Sequence, residues 1–177
     1  MILSAIVAVS DNDVMAKDGK IPWFVRGEQL IFKRLTTGHP IIMGRKTFET
    51  PKTLKGKPML LPDRLNIVVT RNRHYQVPEG GVVVNSLKQA LELPAVKQAD
   101  EAFVIGGAEI FELAMPHVTK LYLTRVHTTI EDGDKFFRFN QKDWNQTHKE
   151  FYKKNDVPDR PYDFEFQVWE RSSPASS

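Results

Sequence analysis

Apolar residues in this chain follow two periods. Short, nearly unbroken runs lie near 2–9 (ILSAIVAV), 40–43 (PIIM), 65–70 (LNIVVT), 82–85 (VVVN) and 102–105 (AFVI). Their length and β-branched content predict buried strands. Between them, residues 28–36, 46–50, 86–93 and 108–115 carry apolar positions at the three-and-four spacing of helices. Alternating strands and helices predict an α/β fold: one central, mainly parallel sheet with helices on both faces.

Beyond residue 117 the pattern changes. In YDFEFQVWE, Phe164, Phe166 and Val168 alternate with Asp163, Glu165 and Gln167. With TKLYLTRVH and THKEFYKK, this stretch predicts antiparallel strands added at one side of the sheet. The longest expected loop is the Lys- and Pro-rich TPKTLKGKPMLLPD, and nothing in the composition marks a second domain. Residues 1–170 are read as one domain and 171–177, which include SSPASS, as a flexible tail.

Composition narrows the function classes. The chain has 177 residues and no cysteine, which excludes disulfides, thiolate nucleophiles and thiolate metal sites. Its first ten residues lack the basic start of a secretion signal, and no apolar run reaches the length of a membrane span. The expectation is a soluble, cytoplasmic protein. Lys and Arg number 25 against 22 acidic residues and are scattered, a balance that suits anionic small molecules better than nucleic acid.

Candidate chemistry sits where strands turn into helices. PIIMGRKTFE and AFVIGGAEIFE both end a strand in glycine and then begin a helix, whose first N–H groups face the turn. The first turn adds Arg45, Lys46 and Thr47 after Gly44; in the second, Gly106 and Gly107 let a ligand approach the main chain. Neither has the spacing of the common dinucleotide or P-loop fingerprints, and taken singly each is also an ordinary strand end. Thr70 and Arg71, directly after a strand, suit the 2'-phosphate that separates NADP from NAD, or are simply a solvated basic loop.

Glu28 is the other unusual position. Ile31, Phe32 and Leu35 follow it by three, four and seven residues, so a helix here sets a carboxylate on its apolar face. An acid in a first helical turn is also favoured by the helix dipole alone. The preceding AKDGKIPW has the composition of a mobile lid beside a site.

Taken in order, IVAVS, IPW, EQLIFKRLT, IIMGRKTFE, LPDRLNIVVT, FVIGGAEIFE and LYLTRV resemble the dihydrofolate reductases over roughly residues 1–170. The resemblance implies reduction of 7,8-dihydrofolate to tetrahydrofolate, with hydride passing from NADPH to C6 and a proton to N5. Three catalytic positions follow by resemblance: Glu28 on the pterin ring, Trp23 positioning water, and Thr124 hydrogen-bonding Glu28. Ile6, Val7, Ala8 and Ile105 would surround the rings, Phe32 would pack on the aromatic part of the substrate, and Arg64 would pair with its α-carboxylate.

For the cofactor, the resemblance implies Arg45, Lys46, Thr47, Thr70 and Arg71 on the phosphates, with Gly44 and Asn85 beside them. Gly106, Gly107, Ala108, Glu109, Ile110 and Phe111 would run along the ribose and pyrophosphate, and Ala8, Met15, Gly19 and Lys20 would close over the nicotinamide side. A cis peptide is expected between Gly106 and Gly107. The expected partners are dihydrofolate and antifolate inhibitors, the expected state is a monomer, and neither metal nor nucleic acid is called for.

The chain departs from the family pattern in four places. The loop before LPDR is longer than in compact bacterial members, Ala16 replaces a frequent glycine, and Phe111 stands where tyrosine is common. GEQL, with Gln29 after Glu28, is similar to mobile-element reductases poorly inhibited by trimethoprim, so reduced trimethoprim sensitivity is expected. Two other functions compete: a reductase of the same fold acting on another pterin-like or pyrimidine ring, and a basic nucleotide- or RNA-binding module.

Overall fold

The computed structural model describes residues 1–50 and 58–172. Part of the long loop expected after Thr50, and residues 173–177 of the tail, lie outside the described residues. The elements run β1 (Ile2–Ser10), β2 (Val14–Ala16), α1 (Glu28–Thr36), β3 (Ile41–Gly44), α2 (Arg45–Glu49), β4 (Asn66–Val69), β5 (Val82–Val84), α3 (Leu87–Glu92) and α4 (Pro94–Gln98). They continue with β6 (Glu101–Gly106), α5 (Ala108–Ala114), β7 (Lys120–Val126), β8 (Lys135–Phe136), a 3-10 turn (Gln141–Asp143), β9 (Trp144–Tyr152) and β10 (Phe164–Arg171).

Eight strands form one sheet in the order β5-β4-β3-β6-β1-β7-β10-β9. The first six are mutually parallel, and β10 runs antiparallel to both β7 and β9. The fold class therefore matches the sequence reading, with one correction. TKLYLTRVH forms β7, which pairs parallel to β1 from Ser4↔Lys120 to Ser10↔Val126. Its near-continuous apolar run, LYL in particular, is that of a strand covered on both faces. The antiparallel addition begins only with β9 and β10, and β10 continues through Arg171, one residue past the expected domain end.

Alternation along the strands sorts side chains into two cores. Ala5, Val7, Ile42, Val104, Leu121 and Leu123 face α3, α4 and α5, which contribute Leu87, Ala90, Val96, Ile110 and Phe111. Ile6, Ile41, Met43, Phe103 and Tyr122 face the other way, toward Ile31 of α1 and Phe48 of α2. Helices thus cover both faces. Phe103 and Phe48 are almost wholly buried, and truncating such a ring to alanine costs about 3–5 kcal/mol. The edge strand β9 carries exposed polar and charged residues from Asn145 to Glu150, which disfavours pairing with another sheet.

On α1 the inward positions are Glu28, Ile31, Phe32, Leu35 and Thr36, whereas Gln29, Leu30, Lys33 and Arg34 are exposed. That is the spacing that placed Glu28 on the apolar face. The lid segment folds as β2 and a tight turn in which Lys17 and Lys20 exchange both main-chain hydrogen bonds. It is tied down by β8, by Asp18 N–H donating to Asp134 at 3.0 Å, and by Asp134 N–H donating to the Ala16 carbonyl.

Candidate active site

The expected functional positions occupy the carboxyl ends of all six parallel strands. In spatial order they are Asn85 after β5, Thr70 and Arg71 after β4, Gly44 ending β3, Gly106 ending β6, Ala8 near the end of β1 and Thr124 in β7. At about 4.8 Å per strand this line extends roughly 24 Å, long enough for a dinucleotide and a second ring system side by side. The outer carboxyl ends of such strands are where open α/β sheets bind ligands.

The two glycine turns meet. A methyl group on Gly107 would lie 3.4 Å from Thr47 Oγ1, and one on Gly44 would lie 3.1 Å from Ile110 Cγ1. Gly106 has φ +112, and a methyl group there would sit 3.0 Å from the Phe111 ring. The Gly106–Gly107 peptide is cis, as the resemblance implied. Bare backbone at both turns leaves room for a phosphate-bearing ligand to reach the N–H groups of Arg45, Lys46 and Ala108. Arg45, Lys46, Arg71 and Glu109 are exposed, whereas Ile110 and Phe111 are buried and serve the core.

Two residues that sequence reasoning missed hold this end together. Glu49 pairs with Arg45 at 3.7 Å and accepts a hydrogen bond from the Tyr75 hydroxyl at 2.9 Å; the Arg45 guanidinium lies over the Tyr75 ring. The Arg45–Glu49 spacing is an i,i+4 pair and was available as a signal. Tyr75 arrives from a separate loop and was not. Thr70 is buried, its hydroxyl accepting from Asn72 N–H at 3.2 Å and its carbonyl from the Asn85 amide at 2.9 Å, so these two strand ends form one unit.

At the other end, Ala8, Phe32, Leu35, Leu60, Leu61 and Ile105 are half-buried around the second core. They form the apolar surroundings where α1 packs on the sheet. Glu28 lies on this inward side of α1, half-buried, and its carboxylate has no hydrogen-bond or ion-pair partner among the described residues. Loss of water raises its pKa to about 7. Trp23, five residues before α1 begins, is buried with its indole Nε1–H lacking an acceptor among the described residues. A desolvated acid without a protein partner and a buried donor without an acceptor suit a planar ligand with its own donors and acceptors.

Some expectations need correction. Thr124 does not hydrogen-bond Glu28: it lies within the sheet, opposite Ala8 on β1 and Phe166 on β10, while Glu28 opens the helix packed over that face. Val7 and Met15 pack in the first core, on the face turned away from α1, because strand alternation sends Ile6 and Ala8 to the α1 side and Val7 to the opposite side. Gly19 and Lys20 sit at the exposed tip of the lid turn. Gln29 is exposed on the flank of α1, next to Glu28 but outside its inward row.

Arg64 is half-buried and pinned. Its Nε donates to the Pro62 carbonyl at 2.8 Å and its Nη1 to Thr36 Oγ1 at 3.1 Å. Burial lowers its pKa, opposed by the charge of Asp63. A separate cavity of about 530 Å³ lies beyond α5, between Phe111 and Trp144; of the expected site residues it touches only Ala108 and Phe111.

A line of parallel strand ends, with bare backbone at one end and a desolvated acid at the other, defines an open-sheet enzyme that holds a nucleotide beside a flat substrate. The sequence model for dihydrofolate reductase matches residues 2–171. The dihydrofolate reductase of Haemophilus influenzae is 40% identical, covering 97% of this chain and 99% of that protein. The Bacillus subtilis enzyme is 37% identical, over 97% and 96% of the two chains. Among solved structures, the Enterococcus faecalis dihydrofolate reductase complexed with NADP(H) and RAB-propyl superposes with a TM-score of 0.84 at 29% identity, covering 97% of each chain. The chain belongs to the dihydrofolate reductase family. It is an NADPH-dependent oxidoreductase that reduces dihydrofolate.

Proposed function

We propose that Glu28 is the polar anchor for the pterin, with Trp23 completing the catalytic set. The observation that carries this reading is a single carboxyl on the inward, apolar side of α1, with no partner among the described residues and a pKa that burial raises to about 7. Paired donors on a pterin edge would restore what burial removed and favour the ionised acid. Holding the pterin in a protonated or enol form would raise the proton affinity of N5, and the Trp23 indole is suited to orient the water that delivers the proton.

NADPH, when bound, supplies the hydride that goes to C6. The chain's own part is to hold the two rings in contact and keep bulk water out. Arg45, Lys46, Thr47, Thr70 and Arg71 are assigned to the cofactor phosphates, supported by their grouping at adjacent strand ends. Arg64 is assigned to the α-carboxylate of dihydrofolate, supported by its anchoring to Thr36 at the far end of the helix that begins with Glu28. Thr36 lies eight steps along the helix from Glu28, about 12 Å at 1.5 Å per residue, a span that suits a ring at one end and a carboxylate at the other.

Reduced affinity for trimethoprim belongs to the same proposal, supported by the likeness of GEQL to mobile-element reductases poorly inhibited by that drug, with Gln29 on the flank of α1 directly after Glu28. Work as a cytoplasmic monomer without a nucleic-acid partner is also proposed; scattered charge and a polar edge strand support it. The test is NADPH oxidation followed with dihydrofolate as substrate, for the native chain and Glu28→Ala. A loss of turnover by orders of magnitude in the variant, with NADPH binding intact, is expected; turnover within a few-fold of the native chain removes Glu28 from its role.

A further inference from the structure

The helix that carries Glu28 starts without help from its own sequence. Gly27 occupies the N-cap with φ +107, and no side chain caps the first turn. Only a long contact from Glu28 N–H to the Val25 carbonyl, 3.3 Å, ties down that first residue, so its place depends on how the segment before it is held. That segment is held by the loop between β9 and β10. Residues 153–162 of that loop are exposed except Arg160, which is buried. Its guanidinium has no carboxylate partner among the described residues. It lies over the stacked rings of Tyr152 and Phe164 and donates to the carbonyls of Arg26, at 3.0 Å, and Lys153, at 3.4 Å.

The same loop takes up the other polar group of that residue, because Arg26 N–H donates to the Asp159 carbonyl at 2.9 Å. Both main-chain groups of Arg26 are therefore held by residues 159 and 160, midway between Trp23 and Glu28. Gly27 leaves space for this contact: a methyl group there would lie 2.9 Å from Arg160 Nη2. A buried cation with only carbonyl and aromatic partners is a costly way to pin a loop, and a hydrophobic residue would serve packing as well.

We infer that Arg160 is a positioning residue for the reductase reaction: by holding the main chain of Arg26, on the entry to α1, it sets where the Glu28 carboxylate and the Trp23 indole stand. This rests on the role given above to Glu28. Arg160→Met keeps the stem packed on the rings and removes the hydrogen bonds, whereas Arg160→Lys keeps the charge and one of them. The measurements are dissociation constants for dihydrofolate and for NADPH by fluorescence titration, together with kcat and KM, in the native and Glu28→Gln backgrounds.

Arg160→Met is expected to weaken dihydrofolate binding about tenfold while NADPH binding stays within twofold, with partial recovery in Arg160→Lys. In the Glu28→Gln background the same change is expected to alter dihydrofolate binding less than twofold, since coupled residues are not additive. Equal losses for both ligands, the same loss in both backgrounds, or no loss overturns the inference. If Glu28→Gln alone matches the native chain in binding and turnover, the role of Glu28 falls and the inference with it; if Glu28→Gln is impaired and Arg160→Met is additive, only the inference falls. Should Arg160→Met not fold, Gly27→Ala displaces the guanidinium from the other side and is expected to give the same selective loss.

Discussion

Arg64 reaches α1 through a single hydroxyl: its Nη1 donates to Thr36 Oγ1 at 3.1 Å, and that hydroxyl in turn donates to the Phe32 carbonyl at 2.8 Å. Thr36→Val removes the acceptor and keeps the shape. One such hydrogen bond contributes about 0.5–1.5 kcal/mol, so KM for dihydrofolate is expected to rise about three- to tenfold, with KM for NADPH unchanged. Steady-state kinetics with each ligand varied separately would show this; equal changes in both constants would disconnect Thr36 from the substrate carboxylate.

The desolvated Glu28 carboxyl makes stability depend on pH. Below about pH 4.5 the group is neutral in the folded and unfolded chains. As pH rises toward 7 the unfolded chain releases its proton first, so stability falls, and above about 7 the folded protein carries the buried charge in full. Glu28→Gln removes that cost. In the absence of ligands the variant is expected to be more stable than the native chain by about 1–3 kcal/mol at pH 8, the lower part of that range reflecting partial exposure of the side chain, and nearly equal at about pH 4. Urea denaturation at the two pH values measures it, and parallel pH profiles for both proteins would refute it.

Gly106→Ala is expected to damage the cofactor end. A methyl group there meets the Phe111 ring at 3.0 Å in a backbone conformation, φ +112, that L side chains avoid. A stability loss of about 1–3 kcal/mol and at least a tenfold loss of NADPH affinity should follow. Fluorescence titration and thermal melts read both, and native-like affinity in this variant would rule out close approach of the cofactor at this turn.

For Arg71→Ala, weaker NADPH binding with little change for NADH is expected, because the exposed guanidinium follows Thr70 at the end of β4 and is assigned to the 2'-phosphate. Comparing KM for the two nucleotides decides it. Equal losses would assign Arg71 to the shared part of the cofactor.

Gln29→Leu is expected to lower the trimethoprim inhibition constant about tenfold while KM for dihydrofolate changes less than threefold. An unchanged inhibition constant would show that the amide does not face the drug.

Much of the fold was readable because its strands are buried on both faces and so appear as apolar runs: β1, β3, β4, β5 and β6 and the helix from Glu28 fall within two residues of their expected bounds. What escaped depends on contacts distant in sequence. Strands β2 and β8 hold only three and two residues and exist by packing on one another, with Gly133 pressed so closely to Val14 that a methyl group there would overlap it. Helix α4 begins at Pro94 and is too short to show a period. The face of β7 was misjudged because LYLTRV reads equally as an edge or a centre until β10 is known to lie outside it.

Within the site, the glycine turns and Glu28 were visible, since each is an odd residue type for its place in the pattern. The supports were not. Tyr75 steadies Arg45, Thr36 steadies Arg64 and Arg160 steadies the start of α1, and each lies at least 26 residues from, or in a different element to, the group it holds. Local periodicity carries no trace of such partners.

With one assigned grip at the end of each of six neighbouring strands, the two ligands would be read piecemeal, a few atoms per strand. Selection can therefore retune one portion of either ligand, an inhibitor's ring included, by altering a single loop, while the remaining grips keep the reaction running. Such modular reading offers an evolving population many small, independent steps away from a drug and few that cost the cell its reductase.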